Sequence, residues 1–471
     1  MFSASQVCHY WRSVLISSPF LWTRINCRCA PRSLASLERS KSIPIQLRLE
    51  RSFSNVALRG VLLHESGISS LITSYHPREI QSSRKLLTGS RQSLEQVHIY
   101  AGQNMWGQED PIHDLWDHLP SLRELVVFRY QLPIARLDAH NLVHMVLERV
   151  CDMWHRKFTV RTILDTLLRC PLLETLLLDH SGIISQDSSS PSSVCLRHLR
   201  SIELGQDEAR SGLITSLQFS RSIAVGFRMI RQYHIYNDTP SELVAAIQHV
   251  LGRTDIRSIT LAASHNYTHM GILIRFEGPG GTLEITTERM YSPSPPHVLL
   301  ALETLLRSPL PGIENATELH IVGCPFDRSQ AFRRVNKAMR NLTSISFFNC
   351  DEDQVFRLLT QTHDSSPPFP CLERVMVLGH EPKLEHMARR RKKLGVSLKT
   401  FVIGRWPKGF VYNSLTNSAA LRGLVGDLRV GCPTEILEWG TGNDILDLWS
   451  HSGVPVSLSE KFACTGPHST I

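Results

Sequence analysis

The chain has 471 residues, 42% hydrophobic and 20% charged, a composition ordinary for a globular protein with a large core in one long or two modest domains. The formal net charge of +8 is spread thinly over that length, so it favours acidic partners only weakly and defines no nucleic-acid groove. No run approaches the about 18 apolar residues of a membrane span, and His9 and Arg12 interrupt what would be the core of a signal peptide. The 11 Cys are scattered and odd in number, with Cys27 and Cys29 the one close pair and no C-x-x-C. These features predict a soluble chain, cytoplasmic and/or nuclear, with no membrane association, no metal site and no disulfide framework.

Residues 7–25 carry the first elements. On helical spacing Val7, Trp11, Val14 and Leu15 share a face while His9, Arg12 and Ser13 fall away from it, which predicts a short amphipathic helix ended by Ser17 and Ser18. Pro19 suits the first turn of a second short helix carrying Phe20, Leu21, Trp22 and Ile25. Two Trp and one Phe on so small a unit are too much apolar surface to hide alone, so it must dock on something.

The spacing Val7-Cys8-x-x-Trp11-Arg12, then Ser18-Pro19-x-Leu21-Trp22-x-x-Ile25, resembles the second half of an F-box in the version common among F-box-like proteins of mushroom-forming fungi. Leu37-Glu38-Arg39-Ser40 followed by Pro44-Ile45-Gln46-Leu47 resembles the segment that trails the F-box in that group. The resemblance implies that Val7, Cys8, Trp11, Arg12, Pro19, Leu21, Trp22 and Ile25 bind the adaptor subunit of an SCF-type cullin ubiquitin ligase. An F-box normally opens with an L-P-x-E-apolar-apolar helix, and here only Phe2-Ser3-Ala4-Ser5-Gln6 stands between Met1 and Val7. The motif is therefore expected to be N-terminally truncated, and its adaptor contact weak.

Further along, an L-x-x-L-x-L pattern recurs. It starts at Leu94, Leu122, Leu142, Leu173, Leu199, Ile256, Ala316, Leu342, Leu372 and Leu398, at spacings of about 20 to 31 residues with two of about twice that, close to the leucine-rich-repeat range. Helical patterns precede several of these strands, at 160–168, from Ser241 to Gly252, and at 298–306, 331–339 and 354–359. The fold class expected is α/β: a short N-terminal helical F-box-like remnant (1–30), an irregular leucine-rich-repeat solenoid with a parallel sheet (31–440), and a C-terminal cap and loose tail (441–471). Cys324 and Cys350 stand where such repeats place Asn or Cys. Two alternating runs around Gly278-Pro279-Gly280-Gly281 predict a β-hairpin over about 271–288, inserted along the sheet edge or covering it. Residues 185–193, 292–296 and 364–370 read as loops.

The chain carries no nucleophile elbow, phosphate-binding loop or dinucleotide fingerprint, and His380-Glu381 with His386 has the wrong spacing for a zinc helix, which Pro382 also bars. Neither an enzyme nor a cofactor is expected. Arg389, Arg390, Arg391, Lys392 and Lys393 form a run that fits a nuclear-localisation or anionic-surface patch and equally a solvated helix end, where cations favour the dipole. The resulting expectation is a substrate receptor that holds the ligase adaptor by its helices and offers one face of the repeat sheet to an unknown target protein. The competing reading is a leucine-rich-repeat scaffold unconnected with ubiquitin.

Overall fold

Short apolar alternations become strands, and the longer 3.6-period segments between them become helices, in a mixed α/β protein. A computed structural model describes residues 8–49, 53–64, 67–75, 92–101, 116, 119–130, 132–150, 158–181, 183, 193–205, 208–209, 212–219, 222–229, 241–265, 269–290, 310–322, 329–348, 350, 352–362, 367–378, 384–404 and 421–431. It divides into two compact units, residues 1–220 and 221–471. The expected helix at 298–306, Cys324 and the tail from 441 lie outside the described residues, as do the expected loop at 292–296 and all but Ser193 of that at 185–193. Among the described residues no helix is long and apolar enough to cross a membrane.

The first unit opens with α1 (His9–Ile16), a 3-10 turn (Pro19–Trp22), β1 (Arg24–Asn26), α2 (Ala30–Ser40), β2 (Ile45–Leu49) and α3 (Asn55–Leu62). It continues with β3 (Ile68–Tyr75), β4 (Gln96–Ala101), β5 (Glu124–Phe128), β6 (His144–Glu148), α4 (Val160–Leu168), β7 (Thr175–Asp179), β8 (Val194–Leu196), β9 (Ser201–Gly205) and β10 (Leu217–Phe219). Strands β1 to β7 and then β9 pair side by side and all parallel, while β8 and β10 form a separate parallel pair. Register places Leu47, Leu71, Val97, Leu125, Met145, Leu176 and Ile202 in one row across the sheet, each buried. The first Leu of several repeats closes a turn before its strand: Leu122 N–H donates to the Leu119 carbonyl, Leu142 to Ala139 and Leu173 to Cys170. Helix α4 spans the residues its pattern predicts, capped by the Thr159 hydroxyl accepting from Thr162 N–H, with Ile163, Leu164 and Leu167 inward. Leu168 is exposed, because it sits in the last turn as the chain leaves for Arg169.

The second unit holds β11 (Ile223–Met229), α5 (Ser241–Leu251), β12 (Ser258–His265), β13 (His269–Gly278), β14 (Gly281–Met290), β15 (Glu318–Val322), α6 (Ser329–Ala338), β16 (Ser344–Phe348), α7 (Glu352–Thr360), β17 (Arg374–Leu378), α8 (Leu384–Lys393), β18 (Thr400–Gly404) and β19 (Asp427–Gly431). Strands β12, β15, β16, β17, β18 and β19 pair successively in parallel.

The hairpin forms as expected but not at an edge. β13 is antiparallel to β12 and to β14, and β14 is parallel to β11, so the hairpin lies between β11 and β12 inside the sheet. An even number of reversed steps leaves the strand direction unchanged beyond the insertion. The tip fits because its glycines lack side chains: a Cβ on Gly278 would stand 2.2 Å from the Asp255 carbonyl oxygen, and one on Gly280 2.3 Å from that of Arg253. At Gly281 φ is +121° and a Cβ would fall 2.1 Å from the Ile223 carbonyl oxygen. Gly281→Ala is therefore expected to cost about 2 kcal/mol or more, through strained backbone plus a clash with backbone that cannot give. Urea unfolding checks it, and an unchanged midpoint would show that the tip is free to move.

Candidate protein-docking surface

Helix α1 buries none of its residues. An eight-residue helix is too short to persist in water on propensity, so contacts at its C-terminal end must hold it. Cys8 caps the start, its Sγ accepting from Trp11 N–H at 3.4 Å. At the other end the Ser17 and Ser18 hydroxyls donate to the Val14 carbonyl, at 3.0 and 2.8 Å, and the Trp22 indole N–H donates to the Leu15 carbonyl at 2.6 Å. Trp22 is only 2% exposed, with the Arg39 guanidinium 4.4 Å from its ring centroid, a cation–π contact reaching from α2 to the 3-10 turn.

What this anchor leaves outside is apolar. Tyr10 is 70% exposed, Trp11 54% and Phe20 76%, joined by Ile16 and Leu21; Tyr10 and Trp11 meet edge to face at 6.0 Å. Leu34 on α2, Val56 and Leu62 on α3, and Leu63 just after it are exposed as well. Among the described residues the large exposed apolar side chains outside residues 10–63 are Leu168 and Leu172, so this end of the first unit is where a partner surface would be covered.

The site residues expected from the sequence separate into two groups. Cys8, Trp11, Arg12 and Leu21 are exposed and Pro19 is half-buried. Trp22 and Ile25 are not surface residues: Ile25, expected on the second helix, lies instead in β1, 1% exposed, beside Leu47 of β2. The turn ends at Trp22, so two residues on the chain is already extended and its alternation points Ile25 inward. Val7 lies outside the described residues. Tyr10 and Ile16 were missed, and their signal was faint: in a helix that buries no residue, periodicity cannot separate a docking face from a solvent face.

The basic run forms the end of α8, closed by Gly395 at φ +77° with Val396 N–H donating to the Arg391 carbonyl. Arg389, Arg390, Lys392 and Lys393 are exposed, but Arg391 is 0% exposed and does not belong to a surface patch. Its guanidinium donates to the carbonyls of Leu359 (3.1 Å), Pro368 (2.9 Å) and Phe369 (3.2 Å). Leu359 stands at the C-terminal end of α7, whose dipole favours a cation there. Burial nevertheless lowers the Arg391 pKa to about 10.

The sheet face opposite the leucine rows was expected to receive a target. In the second unit its centre is closed, since Val322, Phe348, Met376 and Val402 pack into a buried apolar cluster there. In the first unit Val126, Val146 and Leu177 of the same face are buried too. Beside them Glu124 accepts from Gln96 Nε2 at 3.0 Å and lies 2.8 Å from His98 Nε2, while Glu318 and His320 form a 3.5 Å pair in the second unit. The His98 contact, against the opposing effect of burial, holds the Glu124 carboxyl below its ordinary range. Among the described residues no cluster of three or more His, Cys, Asp or Glu could hold a metal, and burial pushes the Cys27 and Cys170 thiols up to about 11 and about 12, away from reactivity.

Fold and site together define a mixed α/β protein with predominantly parallel sheet in each unit and an exposed apolar helical surface at one end of the first unit. No protein-family model matches the chain, and no curated protein matches it.

Trp22→Phe should lower stability by about 1 kcal/mol, since it removes the indole donor and leaves the Leu15 carbonyl to water. Equal urea midpoints would show that this bond does not hold α1. The Glu124 contribution is present above its unfolded pKa near 4.5 and is lost as pH falls through the depressed folded value. Glu124→Gln should therefore be less stable near neutrality and decline less steeply with acid; parallel stability curves for the two proteins over that range would refute the assignment.

Proposed function

We propose that this chain is a non-catalytic substrate receptor of an SCF-type cullin ubiquitin ligase, a soluble protein of the cytoplasm and/or nucleus. Its N-terminal helices engage the ligase adaptor, and its repeats, an irregular leucine-rich-repeat solenoid, hold a target protein. The observation that carries the reading is the exposed cluster of Tyr10, Trp11, Ile16, Phe20 and Leu21 on a helix and turn that bury almost nothing else. The resemblance of residues 7–25 and 37–49 to an F-box and its trailing segment supplies the identity of the partner. Those trailing residues have work here: Arg39 stacks on Trp22, the Ser40 hydroxyl donates to the Leu37 carbonyl at 2.8 Å, and Ile45, Leu47 and Leu49 are the buried positions of β2. The protein makes and breaks no bonds in this role. It raises the target's effective concentration beside the ligase.

One observation favours the competing reading, a binding scaffold unconnected with ubiquitin. Trp22 and Ile25 are occupied within the unit's own core, so the motif residues have a structural use without any adaptor. Titration of the chain with purified adaptor separates the two. Under the receptor reading, Trp11→Ala and Phe20→Ala each weaken binding about 30-fold, corresponding to about 2 kcal/mol at a central anchor, with Tm unchanged because both side chains are exposed. Absence of binding by the unaltered chain would leave the scaffold.

A further inference from the structure

Three adjacent parallel strands of the first unit end alike. The residue after β5 is Arg129 at φ 54°, the residue after β6 is Arg149 at φ 53°, and the residue after β7 is His180 at φ 52°. None is glycine, and left-handed backbone costs such residues about 1 kcal/mol or more each. The conformation has a backbone reason: Arg129 N–H donates to the Glu148 carbonyl (2.9 Å) and Arg149 N–H to that of Asp179 (2.7 Å), so the ladder runs one step past the strands. That explains the turn but not the side chains, because glycine would make the same bonds without strain. Both arginines are half-buried. The Arg149 guanidinium has no hydrogen bond or ion pair among the described residues. The Arg129 guanidinium lies 5.0 Å from the Phe128 ring centroid, a contact with its own neighbour, and His180 Nε2 is 4.0 Å from Asp179 Oδ1.

We infer that Arg129, Arg149 and His180, aligned at the carboxyl ends of β5, β6 and β7, bind carboxylate side chains of an acidic segment in a protein partner. The ends of parallel strands are where open α/β sheets take ligands, and adjacent strands set the backbones of the two arginines about 4.8 Å apart. Each fork suits one carboxylate in bidentate fashion. Glu148 and Asp179 flank the row, and Glu208 lies near Asp179 across Gly205; these carboxylates oppose a phosphate dianion more than a single carboxylate. The inference is independent of the ligase adaptor, which its test does not contain.

Fluorescence anisotropy with a labelled decapeptide of alternating Glu and Gly tests it on the full chain. The Glu peptide should bind and its Gln counterpart should not, and Arg129→Gln and Arg149→Gln should each weaken binding about tenfold. Arg149→Gly should weaken binding equally without lowering Tm, since it relieves the left-handed strain. Failure of the Glu peptide to bind, or equal binding by the double Arg129→Gln, Arg149→Gln variant, overturns the site. A lowered Tm for Arg149→Gly overturns it as well, by giving Arg149 a structural role, and tighter binding of a phosphoserine peptide would overturn the choice of carboxylate.

Discussion

The sheets rest on one repeated backbone contact. Arg123 and Glu124, at the start of β5, both donate their N–H groups to the single carbonyl of Glu95, at 2.8 and 3.0 Å. Val143 and His144 do the same to Arg123, Glu174 and Thr175 to Val143, and Arg200 and Ser201 to Glu174. In the second unit Thr343 and Ser344 share the Thr317 carbonyl, Glu373 and Arg374 that of Thr343, and Lys399 and Thr400 that of Glu373. Each repeat is thereby locked in phase with the one before it, using two donors that would otherwise be orphaned as the chain turns into the strand. A slip of one residue would break both bonds and turn every leucine of the row to the opposite face.

This contact explains what the sequence could reveal. The first apolar residue of L-x-x-L-x-L closes a turn in most of the repeats, the next two alternate inward from the strand, and all ten such patterns become strands of parallel sheet. Strands without that turn escaped notice: β3 reads Ile-Ser-Ser-Leu-Ile-Thr-Ser-Tyr, where Ser70 and Thr73 are buried and blur the alternation. The hairpin's sequence shows two strands and a turn, but its place between β11 and β12 depends on distant carbonyls at Ile223, Arg253 and Asp255 that only a fold brings near. Burial of Arg391 was illegible for the same reason, since five consecutive cations look alike until Leu359, Pro368 and Phe369 aim their carbonyls at one of them.

At the N-terminal end the same economy divides a small motif between anchor and surface. Trp22 and Ile25 lie in the core of the unit, and Arg39 braces Trp22 from α2. That rigid base is what allows α1 to stand with Trp11 and Tyr10 outward, because the alternative, folding these rings onto the unit, would have to displace Trp22 from Leu15. Preorganisation of this kind reduces the entropy lost when a partner covers the rings. An exposed aromatic surface on a tied helix therefore favours recognition over mere misplacement of core residues.

Arginine shows how far a role can be read from local cost. Arg391 is buried at the expense of its charge, which three carbonyls and a helix end offset, so its position is accounted for within the fold. Arg149 has the opposite balance: a strained backbone, a half-buried stem and, among the described residues, no hydrogen bond or ion pair for its guanidinium. A residue whose contacts offset its strain needs no further explanation, whereas one with no such contact among the described residues points to something the chain meets. Arg149 stands in register with Arg129 and His180 at the carboxyl ends of β5, β6 and β7, which places that meeting at one end of the first unit's strands, away from the buried centre of the sheet face.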